Sequence, residues 1–305
     1  MRLASDARSH SHHVSATTAR ISAALTLAII VSSCSSGDAS LTGPEFSKGG
    51  IPSVMVTSLA DDGSAGTLRS VIAAAPAGAN VTFASNLCAL GSHCTIALQP
   101  IPFHSSSLVI DKSLQIVGPT GYTLAVDAGG AFAPVLEVDG PNSGQPPMPV
   151  TIKNLTITGG GGSSTIGVGL AGAIVEFNVN LNLVNMAITG NYGGYGAFGG
   201  QLGSVTLTNS SVTGNTGLSI GAFFLFNIAV TLRNSTVTGN TATSGTPNAG
   251  GGAVIEFGTL TLETGACINN NTTDGTTSSD PWNAINVLIM DHASVTGRNC
   301  GVAHP

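Results

Sequence analysis

The chain has 305 residues and a formal net charge of −6 at pH 7, and only 8% of its residues are charged. Residues 1–33 contain three arginines and one aspartate. Without them, nine basic and fifteen acidic residues become six and fourteen, so the net charge becomes −8. Nucleic-acid binding requires a basic surface, so this balance excludes a nucleic-acid partner. Scarce charges and many Gly, Thr, Ser, Asn and Val residues favour stacked β-strands over helices with charged outer faces.

The N-terminus has the pattern of an export signal. A polar segment ending at Arg20 precedes the apolar run ISAALTLAIIV (21–31), which is too short to span a bilayer. The next residues, Val31-Ser32-Ser33-Cys34, resemble the lipobox of bacterial lipoproteins, in which the cysteine is lipidated and becomes the first residue. We expect residues 1–33 to be a lipoprotein-type signal peptide, Cys34 to carry the lipid and residues 34–50 to form a flexible tether. A secretory signal with an incidental cysteine is the alternative.

The other four cysteines fit an oxidising compartment. Cys88 and Cys94 bracket a short polar loop, and Cys267 and Cys300 lie about one repeat apart. Two disulfides, Cys88–Cys94 and Cys267–Cys300, are the simple prediction, and free buried cysteines are the alternative. Neither pair has the spacing of zinc ligands, and the sequence predicts neither a metal site nor a cofactor.

The segment after the tether has mixed elements. A strand is predicted over 54–59 and a helix over 65–76, where Leu68, Val71 and Ile72 have helical spacing and Pro76 acts as a stop. Short strands separated by turn residues are predicted at 81–83, 95–99, 107–110, 113–118 and 122–126.

One phrase then recurs, as MAITGN (186–191), SSVTGN (210–215), STVTGN (235–240) and ACINNN (266–271). The asparagines that end the copies, Asn191, Asn215, Asn240 and Asn271, are 24, 25 and 31 residues apart. A repeat of this period predicts a solenoid whose equivalent strands stack in parallel with a rise of about 4.8 Å per coil. The predicted fold is therefore all-β, a single-stranded right-handed parallel β-helix over residues 51–305, with the 65–76 helix capping its N-terminal end. A β-sandwich is the second choice.

Counting back fifteen residues from each terminal asparagine aligns the copies without a gap and puts Glu176, Gly200, Leu225 and Glu256 in one slot. The pattern of apolar residues in the copies predicts an inward column of leucines: Leu183, Leu207, Leu232 and Leu262. It also predicts an inward column of Phe177, Phe226 and Phe257, with Glu176 and Glu256 on the outer face beside Ile174, Phe223, Leu225 and Val254. Such an apolar outer stripe is either covered by a loop or is a contact surface.

Two parts of the chain resemble a known family. Residues 56–83, VTSLADDGSAGTLRSVIAAAPAGANVTF, and SLVIDKSLQIVG (107–118) resemble the entry segment of a bacterial family of right-handed parallel β-helix surface proteins. GAI (172–174) and GGAV (251–254) resemble the Gly-Gly-Ala-Ile motif of polymorphic outer-membrane protein repeats. The resemblance implies a cell-surface β-helix. Those proteins usually continue into a β-barrel or a sorting segment, and we expect the lipid anchor to take over that attachment role here.

The asparagine column is expected to be structural. Stacked amides can hydrogen-bond to their neighbours in the coils above and below, and asparagine tolerates left-handed backbone conformations. Ligand contact is the alternative, and it carries more weight for a second column, Asn185, Asn209 and Asn234.

Candidates for catalysis are weak. Glu176 and Glu256 are three coils, or about 14 Å, apart in the alignment, whereas a glycosidase needs carboxyl groups about 5–9.5 Å apart. Glu176, Lys153 and Asp139 are the residues that an enzyme would use. Clustered aspartates on one column, as in β-helix polysaccharide lyases and polygalacturonases, are missing from the sequence.

The expected function is therefore non-catalytic. We expect an exported, lipid-anchored β-helix at the outer membrane or cell surface, with a role in binding, adhesion or envelope architecture. The expected partners are a glycan or another envelope component, and the membrane through the lipid. The alternative is a carbohydrate-active enzyme, either a polysaccharide lyase or a glycoside hydrolase.

Overall fold

The computed structural model describes residues 51–99, 106–131, 133–162, 171–244 and 249–305. The predicted signal peptide, the tether and Cys34 lie outside the described residues and stay predictions. Within the described ranges, no helix has the length and apolar character needed to cross a membrane.

The repeated strands pair in parallel from coil to coil, so the predicted fold, a right-handed parallel β-helix, is confirmed. Ile174 pairs with Phe198, Phe198 with Phe223 and Phe223 with Ala253. The chain crosses four faces in each full coil, named here faces 1 to 4 in the order of crossing.

Faces 1 and 2 belong to one bent sheet, and the strands Ile174–Val184 and Phe198–Thr208 run across both. The other strands of face 1 are Leu108–Ile110, Leu136–Asp139, Phe223–Phe226, Ala253–Glu256 and Val287–Met290. The other strands of face 2 are Ser53–Val56, Ala79–Phe83, Leu114–Val117, Met148–Lys153, Ala229–Arg233, Thr259–Leu262 and Ser294–Asn299.

Faces 3 and 4 have shorter strands. Face 3 consists of His93–Ala97, Thr123–Ala131, Thr156–Gly160, Ala187–Thr189, Ser211–Thr213, Thr236–Thr238 and Cys267–Asn269. Face 4 consists of Tyr192–Tyr195, Thr216–Ile220, Thr241–Ala242 and Asn271–Thr273. Two antiparallel strands near the C-terminus, Thr276–Ser278 and Val302–Ala303, pair with faces 4 and 2 respectively.

The core is a stack of apolar ladders. Leu183, Leu207, Leu232 and Leu262 pair in succession and are at most 3% exposed, so the predicted leucine column is confirmed. Each leucine buried in this way contributes about 1.5–3 kcal/mol relative to an exposed one.

The predicted phenylalanine column is wrong. Ile174 and Phe223 point into the core, whereas Phe177 and Phe226 are half-buried on the outer face and Phe257 is 45% exposed. Asn178, which lies between faces 1 and 2, has a φ of 51°, and Phe257 in the equivalent corner has a φ of 54°. A left-handed residue at this corner reverses the in–out alternation of the strand, so Glu176 and Leu225 also point inward and not outward as predicted.

The gap-free alignment is also wrong for one copy. Leu225 pairs with Ile255, and Phe226 pairs with Glu256, so Glu256 does not share the column of Glu176. Leu232 pairs with Leu262 but Thr236 pairs with Cys267, so the later coil has one extra residue at the corner after Leu262. Counting back from Asn271 crosses that insertion and displaces the alignment by one position.

The N-terminal end is covered by the helix Leu68–Ala74, somewhat shorter than the predicted 65–76. Thr67 is its N-cap and accepts a hydrogen bond from the backbone N–H of Ser70. Arg69 donates to the backbone carbonyls of Ser106 and Ser107, which directly precede the edge strand of face 1, and pairs with the buried Asp61 at 2.7 Å. The helix thus covers an edge that could otherwise pair with another chain.

Candidate functional site

The four asparagines of the repeated phrase form a buried ladder. Each is at most 1% exposed, and the Nδ2 of Asn191, Asn215 and Asn240 donates at 2.9–3.0 Å to the Oδ1 of the next asparagine. The ladder continues from Asn271 to Asn286, which lies outside the repeated phrase and donates to the carbonyls of Ser278 and Asp280. These amides have no surface to offer a ligand.

Glu176 lies inside the β-helix. It is 0% exposed, and neither carboxylate oxygen has a hydrogen-bond partner among the described residues. Burial raises the pKa of this carboxyl well above its usual value, and the backbone N–H groups of Val179 and Gln201, which approach it without the geometry of a hydrogen bond, counteract this only in part. A group sealed in the core cannot reach a polymeric substrate.

The other two catalytic candidates lie on different surfaces. Asp139 is on the outer side of face 1, where burial and then the nearby carboxylates of Glu137 and Asp111 raise its pKa. Lys153 ends the strand Met148–Lys153 on the outer side of face 2. The structure therefore does not bring Glu176, Asp139 and Lys153 together, and within the described ranges no group of three His, Cys, Asp or Glu side chains could hold a metal ion.

The four cysteines lie in two adjacent pairs. Cys267 and Cys300 are bonded with their Cα atoms 4.2 Å apart, which ties the last residues of the chain to face 3. Cys88 and Cys94 are bonded with their Cα atoms 6.5 Å apart and close a loop before the strand His93–Ala97. That loop packs on the next coil, where the backbone N–H of Gly91 donates to the carbonyl of Gly121 at 2.7 Å.

A surface groove of about 610 Å³ begins at this loop. Its rim is formed by Gly91 and the segment 119–124, and its floor by the corner between faces 2 and 3. None of the described residues that line the groove carries a charge. The lining residues are Gly91, Pro119, Thr120, Gly121, Tyr122, Thr123, Leu124, Asn154, Leu155, Thr156, Asn185, Met186, Ala187 and Asn209.

The polar part of the floor comes from the second asparagine column. Asn154, Asn185 and Asn209 have φ values of 56°, 53° and 51°, which turn their side chains out at successive coils. The Nδ2 of Asn185 donates to the Oδ1 of Asn154 at 3.0 Å, and the Nδ2 of Asn234 donates to the Oδ1 of Asn209 at 2.8 Å. Between Asn185 and Asn209, which both line the groove, the described residues form no such bond, so the Oδ1 of Asn185 and the Nδ2 of Asn209 are not used in the column.

Sequence reasoning identified Asn185 and Asn209 of this column and kept a ligand role open for them, but it missed Asn154 and the groove. The third asparagine that it named, Asn234, does not line the groove. The rim is made by residues of the preceding coils. No sequence pattern near Cys88 and Cys94 indicates that the loop between them packs on the segment 119–124. The uncharged stretch PTGYTL (119–124) was the available signal.

No family model and no curated protein matches this chain. Among solved structures, the chain is similar to the crystal structure of pectate lyase Pel9A, with 11% sequence identity and a TM-score of 0.33. The similarity covers 84% of this chain and 82% of that one. The fold is assigned here from the parallel pairing of the strands and not from this likeness.

Proposed function

We propose that this protein is a non-catalytic binding protein of the cell envelope, and that its ligand is a neutral glycan bound along the groove beside Asn154, Asn185 and Asn209. The observation that carries the proposal is the acceptor and donor pair at Asn185 and Asn209. A hydroxyl group both donates and accepts a hydrogen bond, so a sugar hydroxyl can satisfy both amides at once.

The chemistry of the lining supports an uncharged ligand. Acidic polysaccharides would find no cation among the described residues of the groove, since none of these is Lys or Arg. Asn154, Asn185 and Asn209 recur at the coil spacing of about 4.8 Å, so an extended polymer lying along the helix axis would meet one amide per coil. Leu155 and Met186, which also line the groove, add apolar surface for the non-polar faces of sugar rings.

The separation of the catalytic candidates supports a binding role over the carbohydrate-active alternative. Acid–base chemistry on a glycosidic bond needs groups that reach the same substrate, and Glu176 is sealed in the core while Asp139 and Lys153 are on different outer faces. The proposed location, anchored by lipid at Cys34 on the outer membrane or cell surface, would present the groove to envelope glycans.

The test is a panel of neutral and acidic polysaccharides, with the full chain carrying Cys34→Ser so that it can be handled without detergent. We expect retention of neutral polysaccharides only. Asn185→Gly and Asn209→Gly keep the left-handed backbone and should each weaken binding about fivefold to tenfold, the effect of one lost hydrogen bond. Asn227→Gly is the matched control, because Asn227 also has a positive φ of 52° but lies at the corner between faces 1 and 2.

Two results would overturn the proposal. Equal binding by the Asn185→Gly, Asn209→Gly and Asn227→Gly variants would show that the groove is not the site. Release of reducing or unsaturated ends from any polysaccharide, lost on substitution of Lys153 or Asp139, would establish the enzymatic alternative.

A further inference from the structure

A second surface, on the outer side of face 1, combines aromatic rings with carboxylates. Tyr195 stacks on Phe224 with ring centroids 4.7 Å apart, and Phe226 meets Phe257 edge-on with centroids 5.6 Å apart. Glu256 pairs with Phe226 on the neighbouring strand, directly before Phe257. These five residues are called the aromatic–acidic patch below.

The geometry of the patch depends on two backbone features. Gly199 has no side chain, and the ring of Tyr195 occupies the space above it, 3.0 Å from where a Cβ would lie. The corner at Phe257 has a φ of 54°, which turns that ring to the outer side, where it also lies 6.2 Å from the ring of His292. Four of the five patch residues are half-buried, so these side chains are held in place but still accessible. They are Tyr195, Phe224, Phe226 and Glu256.

The charge on this face has one sign. Two outward columns cross face 1, and their acidic members are Asp139, Glu256 and Glu137, which is buried and accepts a hydrogen bond from Ser107; the described residues of these columns include no Lys or Arg. None of the three ion pairs in the described ranges involves Glu256. Burial, and after it the negative charge of Glu256, raises the pKa of the Tyr195 phenol.

We propose that the aromatic–acidic patch binds a small organic cation, a quaternary ammonium group such as a trimethylammonium head. The faces of aromatic rings attract cations, and the unpaired carboxylate of Glu256 supplies the counter-charge within the same patch. A quaternary ammonium fits better than a primary amine, since it donates no hydrogen bond and its methyl groups favour the half-buried rings. This inference is independent of the glycan groove, which lies at another corner of the coil.

The probes are choline and its uncharged carbon isostere, 3,3-dimethylbutan-1-ol, titrated into the full chain with Cys34→Ser and followed by saturation-transfer NMR from the methyl groups. We expect choline to bind and the isostere to bind at least about threefold more weakly, because only the cation gains the ring and carboxylate attraction. Equal signals from the two probes would show ordinary apolar contact and overturn the proposal.

Two variants locate the site. Phe226→Leu keeps an apolar side chain but removes the ring, and Glu256→Gln removes the charge with little change in shape. Each should weaken choline binding about threefold to thirtyfold, and both effects should shrink for the isostere. Glu263→Gln is the control, because Glu263 is a carboxylate on face 2 that is already paired with Arg233. Unchanged choline binding in both patch variants, with thermal midpoints like that of the parent, would also overturn the proposal.

Discussion

The single most unusual residue is Glu176, a carboxyl group inside an apolar ladder. In its column it lies between Val138 and Gly200, and further along are Leu225 and Ile255. Gly200 has no Cβ, and a Cβ there would collide with Oε1 of Glu176 and with the ring of Phe198. The carboxyl therefore occupies the space that Gly200 leaves, and its burial raises its pKa, which favours the protonated form.

Glu176→Gln should change how stability depends on pH. The unfolded carboxyl ionises near pH 4.5, whereas the folded one keeps its proton to higher pH, so the unfolded state binds fewer protons above pH 4.5 and the free energy of unfolding falls as pH rises. The decrease from this residue has a limit of about 1.4 kcal/mol per pH unit. Urea unfolding at pH 4.5, 6 and 8 should show this extra decrease in the wild type and not in Glu176→Gln. Parallel pH profiles for the two proteins would contradict the prediction, and Glu256→Gln on the outer side of the same face is the control.

At the scale of elements, the corners between strands decide how the coil closes. The face 3 to face 4 corner has buried asparagines whose amides bond from coil to coil, whereas the face 2 to face 3 corner has left-handed asparagines at the surface. Asn215 shows how many hydrogen bonds one buried corner residue makes to neighbouring coils. Its Oδ1 accepts from the backbone N–H and the Nδ2 of Asn191, and its own Nδ2 donates to Ile188, Thr213 and Asn240.

Asn215→Ala should destabilise the protein by at least about 3 kcal/mol, because each buried polar group left without a partner costs about 1–3 kcal/mol. Coils of a solenoid contact only their neighbours, so the loss should concentrate in the coils of Asn191 and Asn240. Amide hydrogen exchange resolves this pattern. The control is Asn180→Ala. Asn180 is exposed on face 2 and its side chain accepts a hydrogen bond from the hydroxyl of Ser204, so its loss should change amide exchange little. Uniform loss of protection along the chain would contradict local coupling.

At the scale of the whole molecule, the main hazard of a β-helix is its two open ends. The helix Leu68–Ala74 covers one end. At the other, the side chain of Asn299 imitates a strand, accepting from the backbone N–H of Ile268 at 2.7 Å and donating to its carbonyl at 3.0 Å. The bond between Cys267 and Cys300 holds that residue against the edge. These contacts cover strand edges that would otherwise be templates for aggregation.

The proposed anchor is tested on the whole protein in cells. The wild type should partition into the detergent phase after export, because acyl chains contribute about 0.8 kcal/mol per buried methylene and several chains make attachment durable. The Cys34→Ser protein should move to the aqueous phase without losing its fold, as judged by β-sheet circular dichroism. Detergent partitioning of the Cys34→Ser protein would contradict lipidation at this residue.

The fold was predictable because its signal repeats. Asn191, Asn215 and Asn240 recur at a nearly constant period, and the leucine column follows them in register, so local pattern and global stacking agree. The orientation of face 1 was not predictable from that pattern, since the left-handed residue at Asn178 reverses the alternation on which the prediction of Glu176 and Phe177 depended. The groove was also beyond the sequence, because its rim and its floor come from different coils.

The sequence by itself determined that the chain coils and that a column of asparagines recurs once in each coil. Only the tertiary structure decided which way each side chain points and which residues of different coils meet. The reason is physical: a repeat period depends on local spacing, whereas a single left-handed corner or one inserted residue changes the in–out alternation between the strands on its two sides. The left-handed corner at Asn178 accompanies the inward position of Glu176, and the extra residue after Leu262 puts Glu256 in the column of Phe226 and not in that of Glu176.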